Sequence, residues 1–138
     1  MSIREKAREL SVQALYQYAI RGPEDADAIQ SFDWCEKEGS ERIKEQAREW
    51  VHGVLTDLEA VDAEIEKHLA NWTSDRLGIL ERAILRLAVY ELRAVSELAV
   101  EIIIDEALKL AKRFCGEDSF KFVNGVLDAV ATTLGRKV

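Results

Sequence analysis

Two places in the sequence carry polar side chains whose type and spacing suit the binding of a ligand, and in the first of them the ligand would be an anion. In the first place, Arg4, Arg8 and Ser11 fall within about 60° of one another on a helical wheel. Cations in the first turn of a helix oppose its dipole at a cost of roughly 0.3 to 1 kcal/mol each, which a bound anion would remove. Alternatively, Glu5 and Glu9 neutralise the arginines and the group is a solvated face. The spacing leaves both interpretations open.

The second place is the dipeptide Asn124-Gly125, which favours turns but lies inside an otherwise helical pattern. A glycine within a helix costs about 1 kcal/mol relative to alanine, so its presence suggests close helix packing, a kink or a functional surface. The simplest interpretation of Gly125 is a contact with a neighbouring helix. The Asn124 amide has two donors and an acceptor, which suit a nucleobase edge or a backbone group.

The sequence has no arrangement of residues typical of an enzyme or a metal site. Cys35 and Cys115 lie far apart, with no Cys-x-x-Cys pair. His52 and His68 fall about 160° apart on one predicted helix, so they cannot share a metal ion. There is no phosphate-binding glycine loop, nucleophile elbow or EF-hand spacing. We therefore expect no catalytic activity, no metal site and no cofactor.

Composition predicts one domain over residues 1–138. The chain is 48% hydrophobic and 33% charged, which is typical of a globular domain with a buried core. The N-terminus is charged, and no apolar run reaches the roughly 18 residues of a membrane span. We therefore expect a cytoplasmic protein that neither enters nor crosses a membrane.

The elements that position these side chains are predicted to be helices throughout. Apolar residues recur with a period of about 3.6, and no stretch alternates as a strand would. Ser2 and Glu5 form the pattern of a capping box at the start of the first helix. Gly53 is a possible bend in a long third helix, and Asp118 or Ser119 is expected to cap the last helix. The predicted helices are 2–21, 23–39, 40–69, 75–94, 99–115 and 118–135.

Charge is distributed unevenly along the chain. The formal net charge of -7 taken alone argues against a nucleic-acid ligand. Residues 1–21 nevertheless carry a net charge of +2 and residues 107–138 carry +3, whereas residues 22–106 carry -12. If the two ends of the chain meet in the fold, a basic patch and an acidic surface would suit two different partners.

Four segments together resemble the NusB family of bacterial transcription antitermination factors. They are Ala14-Leu15-Tyr16, the run ERAILRLAVYEL at 81–92, the pattern IDEAxxLAKxF at 104–114 and the run KFVNGVLD at 121–128. The resemblance spans nearly the whole chain, and its motifs occur in the family's order. It implies an all-α, compact bundle of six to seven helices in two small subdomains.

The resemblance also implies a function and its partners. Such a factor binds the boxA element of nascent ribosomal RNA leader transcripts as a heterodimer with the ribosomal protein NusE. It then joins RNA polymerase with other Nus factors and suppresses premature, Rho-dependent termination in ribosomal RNA operons. No cofactor is implied, and the free protein is either a monomer or a homodimer.

The family's functional residues map onto two sets of positions. The positions implied to bind RNA are Arg4, Lys6, Arg8, Lys121, Phe122 and Asn124. Those implied to bind NusE are Tyr16, Asp75 and Glu81. For Phe114 and Phe122, a place in the core and stacking on a base remain alternatives.

A competing hypothesis is a helical protein-interaction scaffold that does not bind RNA. Its acidic face would recruit a basic partner, and the cations near the chain ends would be merely solvated. Charge reversal of the N-terminal arginines separates the two hypotheses, because only the first predicts a loss of RNA binding.

Overall fold

The computed structural model describes residues 1–69 and 77–136, and every regular element in those ranges is helical. The predicted all-α class is therefore confirmed. A single 3-10 turn, Pro23–Asp25, follows the first helix. The helices are α1 (Ile3–Arg21), α2 (Ala26–Ser31), α3 (Glu41–Thr56), α4 (Leu58–Lys67), α5 (Ile79–Ala94), α6 (Val100–Phe114) and α7 (Glu117–Thr133).

Helix α5 lies at the centre of the bundle. It contacts α1, α3, α4, α6 and α7. Since α1 also packs against α3, and α6 against α7, helix α5 joins two small groups of helices. Leu85 and Leu87 of α5 are buried, as expected for a helix with neighbours on most of its circumference. One hydrophobic cluster runs through both groups and includes Leu15 of α1 and Phe122 of α7.

The start of α1 follows the sequence prediction. The Glu5 N–H donates to Ser2 Oγ at 3.1 Å, and the Ser2 N–H donates to Glu5 Oε1 at 3.3 Å. These two bonds form the predicted capping box, which satisfies N–H groups that a helix otherwise leaves open. The backbone N–H of Ser2, and then its hydroxyl, hold the pKa of the Glu5 carboxyl below its usual range.

Helix α2 is much shorter than the predicted helix 23–39. Phe32 follows it with a φ of 58°, a left-handed conformation that ends the helix. The carbonyls at this end accept hydrogen bonds from elsewhere: Trp34 Nε1 donates to Ile29 O at 2.8 Å, and Arg48 Nε donates to Gln30 O at 3.0 Å. A donor arriving from α3 is a tertiary contact that residue spacing does not show.

The predicted single helix 40–69 is wrong, because the chain breaks at Asp57 between α3 and α4. The break lets α4 lie on α5, where Arg86 donates to both carboxylate oxygens of Asp62 at 2.9 Å. Gly53 is not the bend. It lies inside α3 and leaves room for the Tyr90 ring, whose Cζ and Oη would lie 2.3 Å from a Cβ at position 53.

The turn between α6 and α7 is centred on Gly116, whose φ is 104°. The N–H groups of Cys115 and Gly116 both donate to Ala111 O, at 2.8 and 3.0 Å, so Gly116 stops α6 as predicted. Helix α7 begins directly after Gly116, and the predicted cap at Asp118 or Ser119 is wrong. Ser119 lies inside α7 and is buried.

Candidate functional site

Arg8 was predicted to face RNA, but the structure buries it. Its side chain is 3% exposed and lies against Glu91 of α5, with Nη2 to Oε1 at 2.7 Å and Nε to Oε1 at 3.2 Å. The guanidinium also lies over the Trp50 ring, 5.1 Å from its centroid. The prediction is corrected because this cation joins α1 to α5 and α3 and cannot reach a phosphate in this conformation.

Arg4 and Lys6, by contrast, are exposed at the start of α1. Within the two described ranges, neither makes an ion pair. Two positions apart on a helix means about 200° apart in direction, so the two side chains leave α1 on different sides. Lys6 lies on the same side as Gln13, seven residues further on. The N-terminal cations therefore lie on nearly opposite sides of α1 and do not form one cluster.

Helix α7 presents Lys121 and Asn124 to solvent but not Phe122. Phe122 is 0% exposed and belongs to the hydrophobic core, so it has no free face on which a base could stack. The prediction of Phe122 as an RNA contact is corrected for that reason. Lys121 and Asn124 are three positions apart and point about 60° apart, so one ligand can meet both. Gly125 is exposed, which contradicts its interpretation as a helix contact.

A groove lies between α1, the start of α5 and the turn from α6 to α7. Its volume is about 670 Å³. Three large side chains stay exposed here: Tyr16 at 39%, Ile79 at 48% and Phe114 at 44%. Partly exposed aromatic and aliphatic side chains around a concavity are typical of a protein docking site. The lining residues are Gln13, Tyr16, Gln17, Gly78, Ile79, Leu80, Glu81, Phe114, Cys115 and Ser119.

Glu81 lines this groove but is only 6% exposed. Its Oε1 accepts a hydrogen bond from the Gly78 N–H at 2.9 Å, and its Oε2 accepts one from Ser119 Oγ. The structure therefore brings together Tyr16 and Glu81, two of the residues expected to contact a protein partner. The third, Asp75, lies outside the described residues.

Most cations of the last two helices are engaged within the fold. Arg113 forms an ion pair with Glu9 of α1, and its guanidinium lies 5.0 Å from the Phe114 ring centroid at the edge of the groove. Lys109 pairs with Glu106 at 3.3 Å. Lys121 makes no ion pair with any other described residue. The predicted basic surface therefore has fewer unpaired cations than a count of Lys and Arg residues implies.

Sequence reasoning missed several groove residues, chiefly Gln13, Ile79 and Ser119. The exposure of Ile79 could have been predicted from the sequence, because this apolar residue lies outside the apolar stripe of its helix. The role of Ser119 could not have been predicted in this way, because its hydrogen-bond partner, Glu81, lies on another helix.

Two kinds of site are absent from the described part of the chain. No three His, Cys, Asp or Glu side chains in 1–69 and 77–136 are placed to hold a metal ion. None of the described helices combines the length and apolar composition that crossing a membrane requires.

Comparisons with known proteins agree on one family. The NusB family model matches residues 5–132. Transcription antitermination protein NusB of Desulfotalea psychrophila is 42% identical, over 96% of this chain and 97% of the relative. The solved structure of T. maritima NusB has a TM-score of 0.83 at 36% identity, covering 94% of this chain and 90% of that one.

A further solved structure is described as antitermination factors NusB and NusE in complex with dsRNA. One of its chains matches with a TM-score of 0.83 at 31% identity, covering 96% of this chain and 98% of that one. The match of the family model over most of the chain and the identity to full-length relatives both identify the family. The chain belongs to the NusB family of transcription antitermination proteins.

Proposed function

We propose that this chain binds the boxA element of nascent ribosomal RNA leader transcripts as a heterodimer with ribosomal protein NusE. The observation that carries the proposal is its likeness to a NusB solved with NusE and RNA. An open apolar groove and the exposed cations of α1 and α7 are consistent with two such partners. The heterodimer then joins RNA polymerase with other Nus factors and opposes Rho-dependent termination in ribosomal RNA operons.

The residues that contact RNA in this proposal are Arg4 and Lys6, on different sides of α1, and Lys121 and Asn124 on one side of α7. All four are exposed, and none of the three cations forms an ion pair with another described residue. Cations without a protein partner bind phosphates at no cost of breaking an internal pair, and they release counterions when they do so. The Asn124 amide supplies the donors and acceptor that read a base edge in single-stranded RNA.

NusE occupies the groove in this proposal. Tyr16, Ile79 and Phe114 provide apolar contact area, and aromatic anchors of this kind contribute most of the binding energy in many protein interfaces. The Glu81 carboxylate gives the groove an acidic floor, which suits a basic ribosomal protein. Arg113 and Glu9 hold the edge of the groove by joining α6 to α1.

A titration of labelled boxA RNA with and without NusE tests the proposal. We expect tighter binding to boxA than to a scrambled RNA, and a further gain when NusE is added. Equal affinity for the two RNAs in the presence of NusE would contradict RNA recognition and leave the protein-interaction scaffold as the better explanation.

Charge reversal separates the two functions of the surface. The double variant Arg4→Glu/Lys121→Glu should lose RNA binding and keep NusE binding, because neither residue lines the groove. The matched control is Lys37→Glu/Arg42→Glu, which makes the same change in net charge at two exposed cations outside the groove. Tyr16→Ala should instead weaken NusE binding and leave the affinity for RNA alone unchanged.

A further inference from the structure

Ser119 and Glu81 form a hydrogen bond at the boundary between the groove and helix α7. Glu81 belongs to the first turn of α5 and Ser119 to the first turn of α7, so the bond ties the starts of two helices together. Both residues are buried, at 6% and 5% exposure, and both line the groove. Any protein seated in the groove therefore covers this bond.

The start of α7 lacks a side-chain cap, although Glu117 in its first turn pairs with Lys112 of α6 at 3.7 Å. Its N-cap position is Gly116, which has no side chain to accept from the open N–H groups of the first turn. Ser119 is not the cap either, because it lies inside the first turn of α7, where its hydroxyl donates to Glu81. The bond from α5 is thus a fixed point for the first turn of α7.

Residues expected to bind RNA follow immediately on the same helix. Lys121 lies two positions after Ser119, and Asn124 lies five positions after it, one turn further along α7. On the other side of the turn, Phe114 and Cys115 line the groove directly before α7 begins. A partner in the groove thus contacts the same short piece of chain that positions Lys121 and Asn124.

We infer that Ser119 is a positioning residue that couples the two binding surfaces: its hydrogen bond to Glu81 fixes the first turn of α7 more firmly when a protein partner covers the groove. A hydrogen bond is stronger once water is excluded from its surroundings. The two partners of the bond are already 5 to 6% exposed, and docking against the apolar side chains of Ile79 and Phe114 removes the remaining access of water to it. The RNA then meets Lys121 and Asn124 already held in place.

This inference rests on the proposed function, and one thermodynamic cycle tests it. The affinity for labelled boxA RNA is measured with and without saturating NusE, and the ratio of the two dissociation constants is the coupling factor. Reciprocity requires that RNA strengthens NusE binding by the same factor, which provides an internal check.

The Ser119→Ala variant should lower RNA affinity more in the presence of NusE than in its absence, so that the coupling factor falls by about fivefold or more. The matched control is Thr132→Ala, which removes a hydroxyl from the same helix. That hydroxyl donates to Asp128 O at 3.0 Å within α7 and lies away from the groove. The control should keep the wild-type coupling factor.

Two further variants distinguish positioning from a general structural role. Glu81→Gln keeps an oxygen for the Gly78 N–H and an amide N–H for Ser119 Oγ, so it should retain the coupling factor whatever its effect on NusE affinity. Ser119→Cys keeps the side-chain volume with a weak donor and should give an intermediate factor. Thermal melting of each variant shows whether the fold is intact.

The possible outcomes are distinct. A wild-type chain whose RNA affinity does not respond to NusE overturns both the proposed function and this inference. A wild-type chain that responds, together with folded Ser119→Ala and Ser119→Cys variants that respond equally, overturns only the inference. Loss of coupling in Ser119→Ala and its retention in Glu81→Gln and Thr132→Ala support it.

Discussion

Arg8 and Glu91 form a buried ion pair, and removing one member should cost far more than removing both. Both side chains are at most 3% exposed, so the Arg8→Met variant leaves an uncompensated carboxylate in the core. Breaking a buried pair in this way costs about 3 to 5 kcal/mol of the free energy of unfolding. The double variant Arg8→Met/Glu91→Leu replaces the pair with apolar side chains and should recover most of that loss. Urea denaturation measures both.

The same pair predicts a dependence on pH. Burial raises the pKa of the Glu91 carboxyl above its ordinary value of 4.5, although the Arg8 guanidinium opposes the shift. A folded-state pKa above the unfolded value means that the native state binds more protons, so the contribution of Glu91 to stability falls as pH rises from 4.5 through the folded pKa. Removing Arg8 raises this pKa further. The stability deficit of Arg8→Met should therefore be larger at about pH 7.5 than at about pH 5. A stability deficit of Arg8→Met that does not depend on pH would contradict the assignment of the loss to an unpaired Glu91 carboxylate.

Arg8 and Phe122, which were predicted to contact RNA but are buried, show the limit of predicting a residue's role from its type and spacing. Arg8 lies beside the apolar stripe of α1, and whether such a position is exposed depends on the neighbouring helices. Its partner Glu91 lies far along the chain, and the sequence pattern does not pair them. Phe122 lies between Lys121, which is exposed, and Val123, which is buried. Whether its ring faces the core or solvent can be decided only when the face of α7 that packs against the core is known. The exposed polar residues Lys121 and Asn124 were predictable because they lie off the apolar stripe.

Gly53 allows helix α3 to pass close to α5. A larger residue at this position should therefore destabilise the packing of these two helices. An added Cβ would lie 2.3 Å from Cζ of Tyr90, so the ring must move. Alanine favours a helix over glycine by about 1 kcal/mol, but overpacking costs about 1 to 3 kcal/mol. We expect Gly53→Ala to lower the melting temperature. Gly39→Ala serves as the control, because no atom lies within 4 Å of its Cβ position. A variant as stable as wild type would show that the ring shifts freely.

Arg136 caps the C-terminus of α5 from the far end of the chain. Its Nη1 donates to Leu92 O at 2.9 Å and its Nη2 donates to Leu98 O at 2.6 Å. Hydrogen bonds from a charged donor contribute about 1.5 to 3 kcal/mol, so Arg136→Ala should lose stability of that order. Arg136→Lys should recover only part, since an ammonium lacks the fork of a guanidinium. RNA binding by the folded variants should not change. A loss of RNA affinity without a loss of stability would instead place Arg136 on the RNA surface.

The helices themselves were largely predictable, and their ends were predictable where the capping group is local. The capping box at Ser2 and Glu5 and the stop at Gly116 both follow from residues a few positions apart. The end of α2 depends on Arg48 of the next helix, and the break at Asp57 places α4 on α5 through Asp62. Such ends are set by tertiary contacts, which periodicity cannot show.

In the molecule as a whole, the separation of charge along the chain overstates the separation of charge on the surface. The net +3 of residues 107–138 includes Arg113, Lys109 and Arg136, which are bound to Glu9, Glu106 and backbone carbonyls. The sequence shows how many cations a segment has but not which of them are already paired. The groove was equally invisible, because it is formed by α1, α5 and the turn from α6 to α7 only after they pack.

The salt dependence of RNA binding distinguishes cations that meet phosphates from cations that are already paired. Each phosphate contact to a single strand contributes about 0.7 to the slope of log K against log salt concentration. Arg4→Gln and Lys121→Gln should each reduce the slope measured with NusE present by about that amount, because both cations are exposed and unpaired among the described residues. Lys109→Gln should leave it unchanged, since Lys109 pairs with Glu106 at 3.3 Å. An equal reduction in all three variants would mean that RNA responds to the net charge of the protein rather than to a defined surface.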